Sequence, residues 1–488
     1  MPNRYVPFAL LALFFLAIAG IHARTLEVGT GRTYANPTVA SQDALPGDTI
    51  LIYGGTYTQS YFIENLHGTA DAWITIMGKV DDAPDFSGNT EALHFSDCTY
   101  LRIERLAING QTGNGINIDD GGTFDTPSHH ISLKDLYFSR IAATGNNDFL
   151  KMSGVDSFSI SYCFFELGSP GGSGIDMVGC HYGKILNCNF RSMGSNAIQA
   201  KGGTAFIEIA RGIFEDCGER ALNLGGSTGL QFFRPLDAPY EAANIRVYAN
   251  LFIRGNAPIA YVGSTRIEVV NNTIIHPVRW VIRILQETVD ASRFVPCGDN
   301  TFRNNVVVTN GLTGPHVNIG SNTNPESFLF ESNLWWDEAD TTNTDVELPS
   351  VEVRGIRGQN PRLSRTSAYD VRPLVGSPAI GAGTPVAGIG LDLQGFPFAN
   401  PPSIGAREGA TTSGVSGWSI HGTLTLAPNP ANEYIRIENA SGTVSVSDFM
   451  GRVCLQVSDA HLVDLSELAP GLYIVRATRA SAVLAVTR

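Results

Sequence analysis

Between about residue 90 and residue 336, apolar and polar positions alternate in short runs that return roughly every 22 to 25 residues. Five segments carry the pattern best: Phe149–Gly154, Gly174–Gly179, Ala197–Gly202, Ala221–Gly226 and Pro258–Gly263, each with an apolar second position and a closing Gly. A second run follows about ten residues later, as in Phe158-Ser-Ile, Lys184-Ile-Leu, Ile207-Glu-Ile, Ile245-Arg-Val and Ile267-Glu-Val. A third step opens on Asn or Cys and continues apolar: Cys163-Phe-Phe, Cys188-Asn-Phe, Asn250-Leu-Phe, Asn271-Asn-Thr-Ile, Asn304-Asn-Val-Val and Asn333-Leu-Trp. The period within each run is two, not 3.6, so the runs predict strands and turns; repeats of this length stack as coils.

Stacking assigns side chains to faces. In the first strands, Leu150 and Met152, Ile175 and Met177, Ile198 and Ala200, and Leu222 and Leu224 must point inward, so the residues between them face out. The outward row then reads His94, Asn117, Lys151, Asp176, Gln199, Asn223, Ala260, Arg283 and Asn318, and is expected to be lined up and solvated. A second outward row, two residues on, includes Asp119 and Lys201. Rungs about 4.8 Å apart bring Lys151, Asp176, Gln199 and Lys201 within one or two sugar lengths of each other. Insertions at 119–129, 227–243 and 286–300 all follow first strands, so they wall one edge of this face and carry Phe233, Arg234, Glu241 and Glu287. Asn250, Asn271, Asn304 and Asn333 are expected to be stacked turn amides.

The composition narrows the setting. The first residues form a basic start, an apolar run from Val6 to Ile21 and a small residue at Ala23, the layout of an export signal over 1–23. Nothing else is long and apolar enough to span a membrane as a helix. A net charge of −13 with no basic run argues against nucleic acid as a partner. The seven cysteines match no metal motif; Cys163 and Cys188 hold the same step in adjacent coils, either as stacked thiols or as a bridge.

Residues 24–408 resemble the secreted right-handed parallel β-helix proteins of the pectate-lyase-like superfamily, which implies about 10–11 coils here. After a small-residue linker over 409–422, residues 423–488 resemble the C-terminal sorting domain of the type IX secretion system of Bacteroidetes. That resemblance rests on Leu426-Ala-Pro-Asn-Pro, Val446-Ser-Asp-Phe-Met-Gly-Arg and Leu468-Ala-Pro-Gly-Leu-Tyr. It implies an all-β chain ending in a small β-sandwich, exported by that machinery and then released or attached to the outer-membrane surface.

The face suits a polysaccharide. Hydrolysis needs carboxylates about 5–10 Å apart, and Asp119 and Asp176 lie further apart than that. β-Elimination at a uronate needs a base and a cation that neutralises the carboxylate. Lys201 is the expected base, with Lys151, Arg283 or Arg234 as neutralisers, Asp176 as orienting group or Ca²⁺ ligand, and no other cofactor. Gln199, Asn223, Phe233, Asn318 and His94 are expected to bind substrate. Lys201 stands where β-helix lyases of the alginate and chondroitin type carry a lysine, although the next coil has Asn223 in place of their Arg. The alternative is a non-catalytic β-helix that binds or adheres to glycan.

Overall fold

The computed structural model describes residues 23–80, 82–123, 126–409, 425–427, 431, 433–438, 443–448, 453–458, 462–469, 471–477 and 480–486. The expected export signal (apart from Ala23) and nearly all of the expected linker lie outside these residues.

A central coil contributes one strand to each of three parallel sheets. In one turn of the chain, Leu150–Ser153, Val155–Ser161 and Phe164–Glu166 occupy the three sheets in order, and Ser173–Val178 returns to the first. The sheets have 14, 10 and 12 strands, and the whole is a right-handed parallel β-helix. Every inward residue named for the first strands is fully buried. The third step supplies an internal aromatic column. Phe138, Phe165, Phe190, Phe214 and Phe252 stack rung on rung, with ring centroids 4.6, 4.7, 5.0 and 4.7 Å apart. Such ring pairs add about 0.5–1.5 kcal/mol each beyond their area.

Turns decide where coils change direction. The closing glycines Gly154, Gly179 and Gly202 have φ near +60°, where a side chain is strained. At Gly179 a Cβ would also lie 2.6 Å from the Arg234 Cβ.

The amide ladder differs from expectation at two rungs. Asn250, Asn272, Asn305 and Asn333 form it, each Nδ2 donating to the next Oδ1 at 3.0, 3.1 and 3.0 Å. Asn271 and Asn304 are the left-handed residues just before (φ 53° and 54°). They make a second pair, with Asn304 Nδ2 donating to Asn271 Oδ1 at 3.0 Å. All seven cysteines are free thiols, so Cys163 and Cys188 are buried neighbours without a bridge; burial raises the Cys163 thiol well above its ordinary value.

The helix Pro37–Asp43 sits beside the first coils, its Asn36 side chain accepting from Val39 N at 3.0 Å. The last parallel strand is Ile356–Arg357. Residues 358–409 then run back along the coils as a strap. Asn304 Nδ2 donates to Thr384 O at 2.7 Å, Asn271 Nδ2 to Ser403 O at 2.9 Å and Arg246 to Ala387 O at 3.1 Å. Leu363, Val371, Ala379 and Ile404 pack on Leu251, Val306, Val308 and Leu334.

The C-terminal part has a three-stranded and a four-stranded antiparallel sheet that share one core of Ile435, Ile437, Val463, Val444, Val446, Val475 and Leu484. Among the described residues, no helix is long and apolar enough to cross a membrane.

Candidate functional site

The ten-stranded sheet holds the expected row in register: His94 beside Asn117, then Lys151, Asp176, Gln199, Asn223, Ala260, Arg283 and Asn318. One residue of each strand recurs there because successive strands pair without offset. Solvation is a different matter. Asp176 is fully buried and Asn223 is 3% exposed.

Asp176 is hidden because lysines from both sides close over it. Lys151 Nζ, from the preceding coil, donates to Asp176 Oδ2 at 2.7 Å. Lys201 Nζ lies 3.2 Å from Oδ1, off the line that a hydrogen bond needs. Lys151 also reaches Asp148 Oδ2 at 3.4 Å. Asp148 is fully buried and accepts from Ser173 N at 2.7 Å. Burial, with Asp176 adding repulsion, pushes the Asp148 carboxyl up to about 6. Burial alone would lower the Lys151 ammonium, but Asp176 and Asp148 outweigh it and raise it. Two carboxylates and two ammonium groups thus alternate: Asp148, Lys151, Asp176, Lys201. Both Asp176 oxygens face ammonium groups, so the residue does not fit a Ca²⁺ ligand. Among the described residues no three His, Cys, Asp or Glu side chains gather as a metal site would require.

The 227–243 insertion folds over the Lys201 strand and encloses a cavity of about 570 Å³. Asp120, Lys151, Lys201, Gln231, Phe232 and Arg234 line it. Glu241 fixes this cover from below. Fully buried, it accepts from Gly202 N at 2.9 Å, Thr228 N at 2.9 Å, Thr228 Oγ1 at 2.7 Å and Thr288 Oγ1 at 2.5 Å. Arg234 is held by Asp156 through two bonds of 2.7 Å. Burial would raise the Asp156 carboxyl, but Arg234 and His181 bring it down to about 2. Arg234 is therefore a wall whose charge is already matched.

Several expected residues sit elsewhere. Phe233 does not face ligand: it is fully buried against Ala238 and Phe294, with Arg293 over its ring at 4.6 Å. Its neighbour Phe232, 59% exposed, lines the cavity instead. The short turn at Leu230–Phe232 sets which of the two points out. Arg283 lies three strands beyond Lys201, about 14 Å at strand spacing, too far to share a sugar with it. There it caps Trp280 at 4.4 Å and donates to Asn318 Oδ1 at 3.0 Å. Burial, then repulsion from Arg220, lowers the Arg283 guanidinium. Asn223 accepts from Arg220 at 3.0 Å, and Gln199 lies beneath Gly226, where a Cβ would come 2.9 Å from its amide. At the other end, His94 lies between Glu91 (3.1 Å) and Asp119 (2.6 Å), which together raise it to about 10.

Asp148 and Asp120 carried no weight as site residues in the sequence. The first has a legible signal, three residues before Lys151. For Asp120, burial is the leading cause of a raised carboxyl, and its neighbour Asp119 adds to it.

Residues 150–334 match the family model described as right handed beta helix region, and residues 425–486 match the secretion system C-terminal sorting domain. No curated protein sequence matches the chain. Among solved structures, pectate lyase Pel9A is similar at 15% identity and TM-score 0.48, covering 80% of this chain and 98% of that one. An alginate lyase from Paenibacillus sp. str. FPU-7 is similar at 17% identity and TM-score 0.41 (60% and 99% covered). The PL6 family polysaccharide lyase Pedsa3628 from Pseudopedobacter saltans is similar at 14% identity and TM-score 0.44 (71% and 98% covered). The chain is thus a β-helix protein with a secretion sorting domain, exported for release or for attachment to the cell surface.

Proposed function

We propose that the ten-stranded face binds an acidic, uronate-containing polysaccharide and cleaves it by β-elimination in the cavity under the 227–243 insertion. One observation carries this reading: two of the chain's five lysines enter one cavity from either side of a buried aspartate. A uronate carboxylate bound beside Lys151 is neutralised by that ammonium. Lys201, once its contact with Asp176 opens and it has given its proton to water, takes the hydrogen α to that carboxylate. The resulting electron pair forms the ring double bond as the bond to the leaving oxygen breaks. Asp120, whose carboxyl is raised by burial, lines the same cavity and is the candidate proton donor to that oxygen, with water as the other source. Exposed Phe232 offers a ring face for an adjacent sugar.

The second reading is binding without cleavage. Lys201 is already ion-paired with Asp176, and Arg234 with Asp156, which is the arrangement a rigid recognition surface uses.

Ultraviolet absorbance of the unsaturated product separates the two. The mature protein is incubated with alginate, pectate and chondroitin. The expected result is product from at least one polymer, reduced by about 10²–10⁴-fold in Lys201→Ala. No product from any polymer, with binding retained, leaves the recognition reading standing. Full activity of Lys201→Ala removes Lys201 as the base.

A further inference from the structure

The 14-stranded sheet carries a second cavity, of about 790 Å³, which shares no residue with the first. Its floor is the outward row Lys184, Glu208, Arg246 and Glu268, paired in register from rung to rung. The signs alternate: Lys184 Nζ is 3.7 Å from Glu208, and Arg246 donates to Glu268 at 2.7 Å. Along one rim run the turn residues Tyr182, Phe206, Asn244 and Arg266. Tyr182 and Phe206 are 61% and 47% exposed, yet their rings stack 5.1 Å apart and 7° from parallel. On the remaining outer surface of the same sheet, Tyr248 and Val270 are covered by Ile389 and Phe398 of the strap. The strap thus borders the cavity on the side opposite the aromatic rim, where Arg246 donates to Ala387 O.

We propose that this cavity binds a neutral polysaccharide segment, independently of the cleavage groove. The charge of the lining chooses the ligand. Lys184, Arg246 and Arg266 face Glu208, Glu268 and Asp299, so a uronate meets as much repulsion as attraction. Alternating carboxylates and cations, one strand apart, offer acceptors and donors side by side, which is what the hydroxyls of a neutral sugar need. The exposed ring pair supplies apolar surface for the C–H faces of the same sugars. Two faces of one rod then hold two kinds of glycan, the neutral one anchoring the protein while the groove stays open.

The test is calorimetry on the full mature protein with cellohexaose, xylohexaose and mannohexaose, and with an alginate hexasaccharide as the groove probe. At least one neutral hexasaccharide is expected to bind. The Tyr182→Ala/Phe206→Ala protein should bind it at least about tenfold more weakly, with affinity for the alginate probe unchanged. Both rings are exposed, so the double variant keeps its core. The proposal is overturned if none of the three neutral probes binds, or if the double variant binds them as well as the parent. It is equally overturned if Lys201→Ala abolishes the neutral binding, because the ligand would then lie in the groove.

Discussion

Two polar stacks run through the same solenoid and behave differently. The Asn250–Asn272–Asn305–Asn333 column is made of identical neutral amides, each donor meeting the next acceptor, with backbone N–H groups sharing those acceptors at 2.9–3.0 Å. The Asp148–Lys151–Asp176–Lys201 stack alternates charge, is held by fewer bonds, and leaves Asp176 Oδ1 without a hydrogen bond. A repeated amide satisfies itself, and nothing is left over for a ligand. Alternating charges beside a cavity leave Asp176 Oδ1 short of a hydrogen bond, and it is on this stack that the proposed site is built.

Removing the central member of each stack breaks the comparison most directly. Asp176→Ala leaves Lys201 without its carboxylate and Lys151 with only Asp148 at 3.4 Å, an effect expected at about 3–5 kcal/mol and read from the urea midpoint. Asn272→Ala orphans the buried Asn250 N–H and is expected to cost about 1–3 kcal/mol for that group. If the second loss matches the first, the two stacks are equivalent scaffolding and the distinction fails.

His94 gives a smaller effect with a defined pH window. Its folded value, about 10, lies above the ordinary 6.5 because Asp119 and Glu91 hold the charged form. Its contribution is therefore complete below pH 6.5 and disappears as pH rises through about 10. The gap in denaturation midpoint between the parent and His94→Asn should close over that range. A gap that does not vary with pH would mean that packing, not charge, holds His94.

Much of this face could be read from the sequence because a period of two fixes register: a slip of one residue would send Lys151 inward and Met152 out. Coverage could not be read. Asp176 is buried by the two lysines that close over it from the neighbouring coils, and alternation alone does not record which outward side chains will fold onto one another. The same limit exchanged Phe232 for Phe233, since the turn before them decides which ring points out. Asn271 and Asn272 are equivalent as letters; only the left-handed turn at the first makes the second the ladder residue. The helix Pro37–Asp43 did have a signal, an Asn cap followed by Pro at the first position, which the dominant strand periodicity obscured.

The strap changes how such a rod comes apart. Coils touch mainly their nearest neighbours, so a bare solenoid is free to peel from its end one rung at a time. By tying Arg246, Asn271 and Asn304 to a single returning segment, residues 358–409 oblige several terminal rungs to detach together. Fraying at that end becomes a single cooperative event, a useful property for a chain outside the cell, where partly opened ends meet proteases.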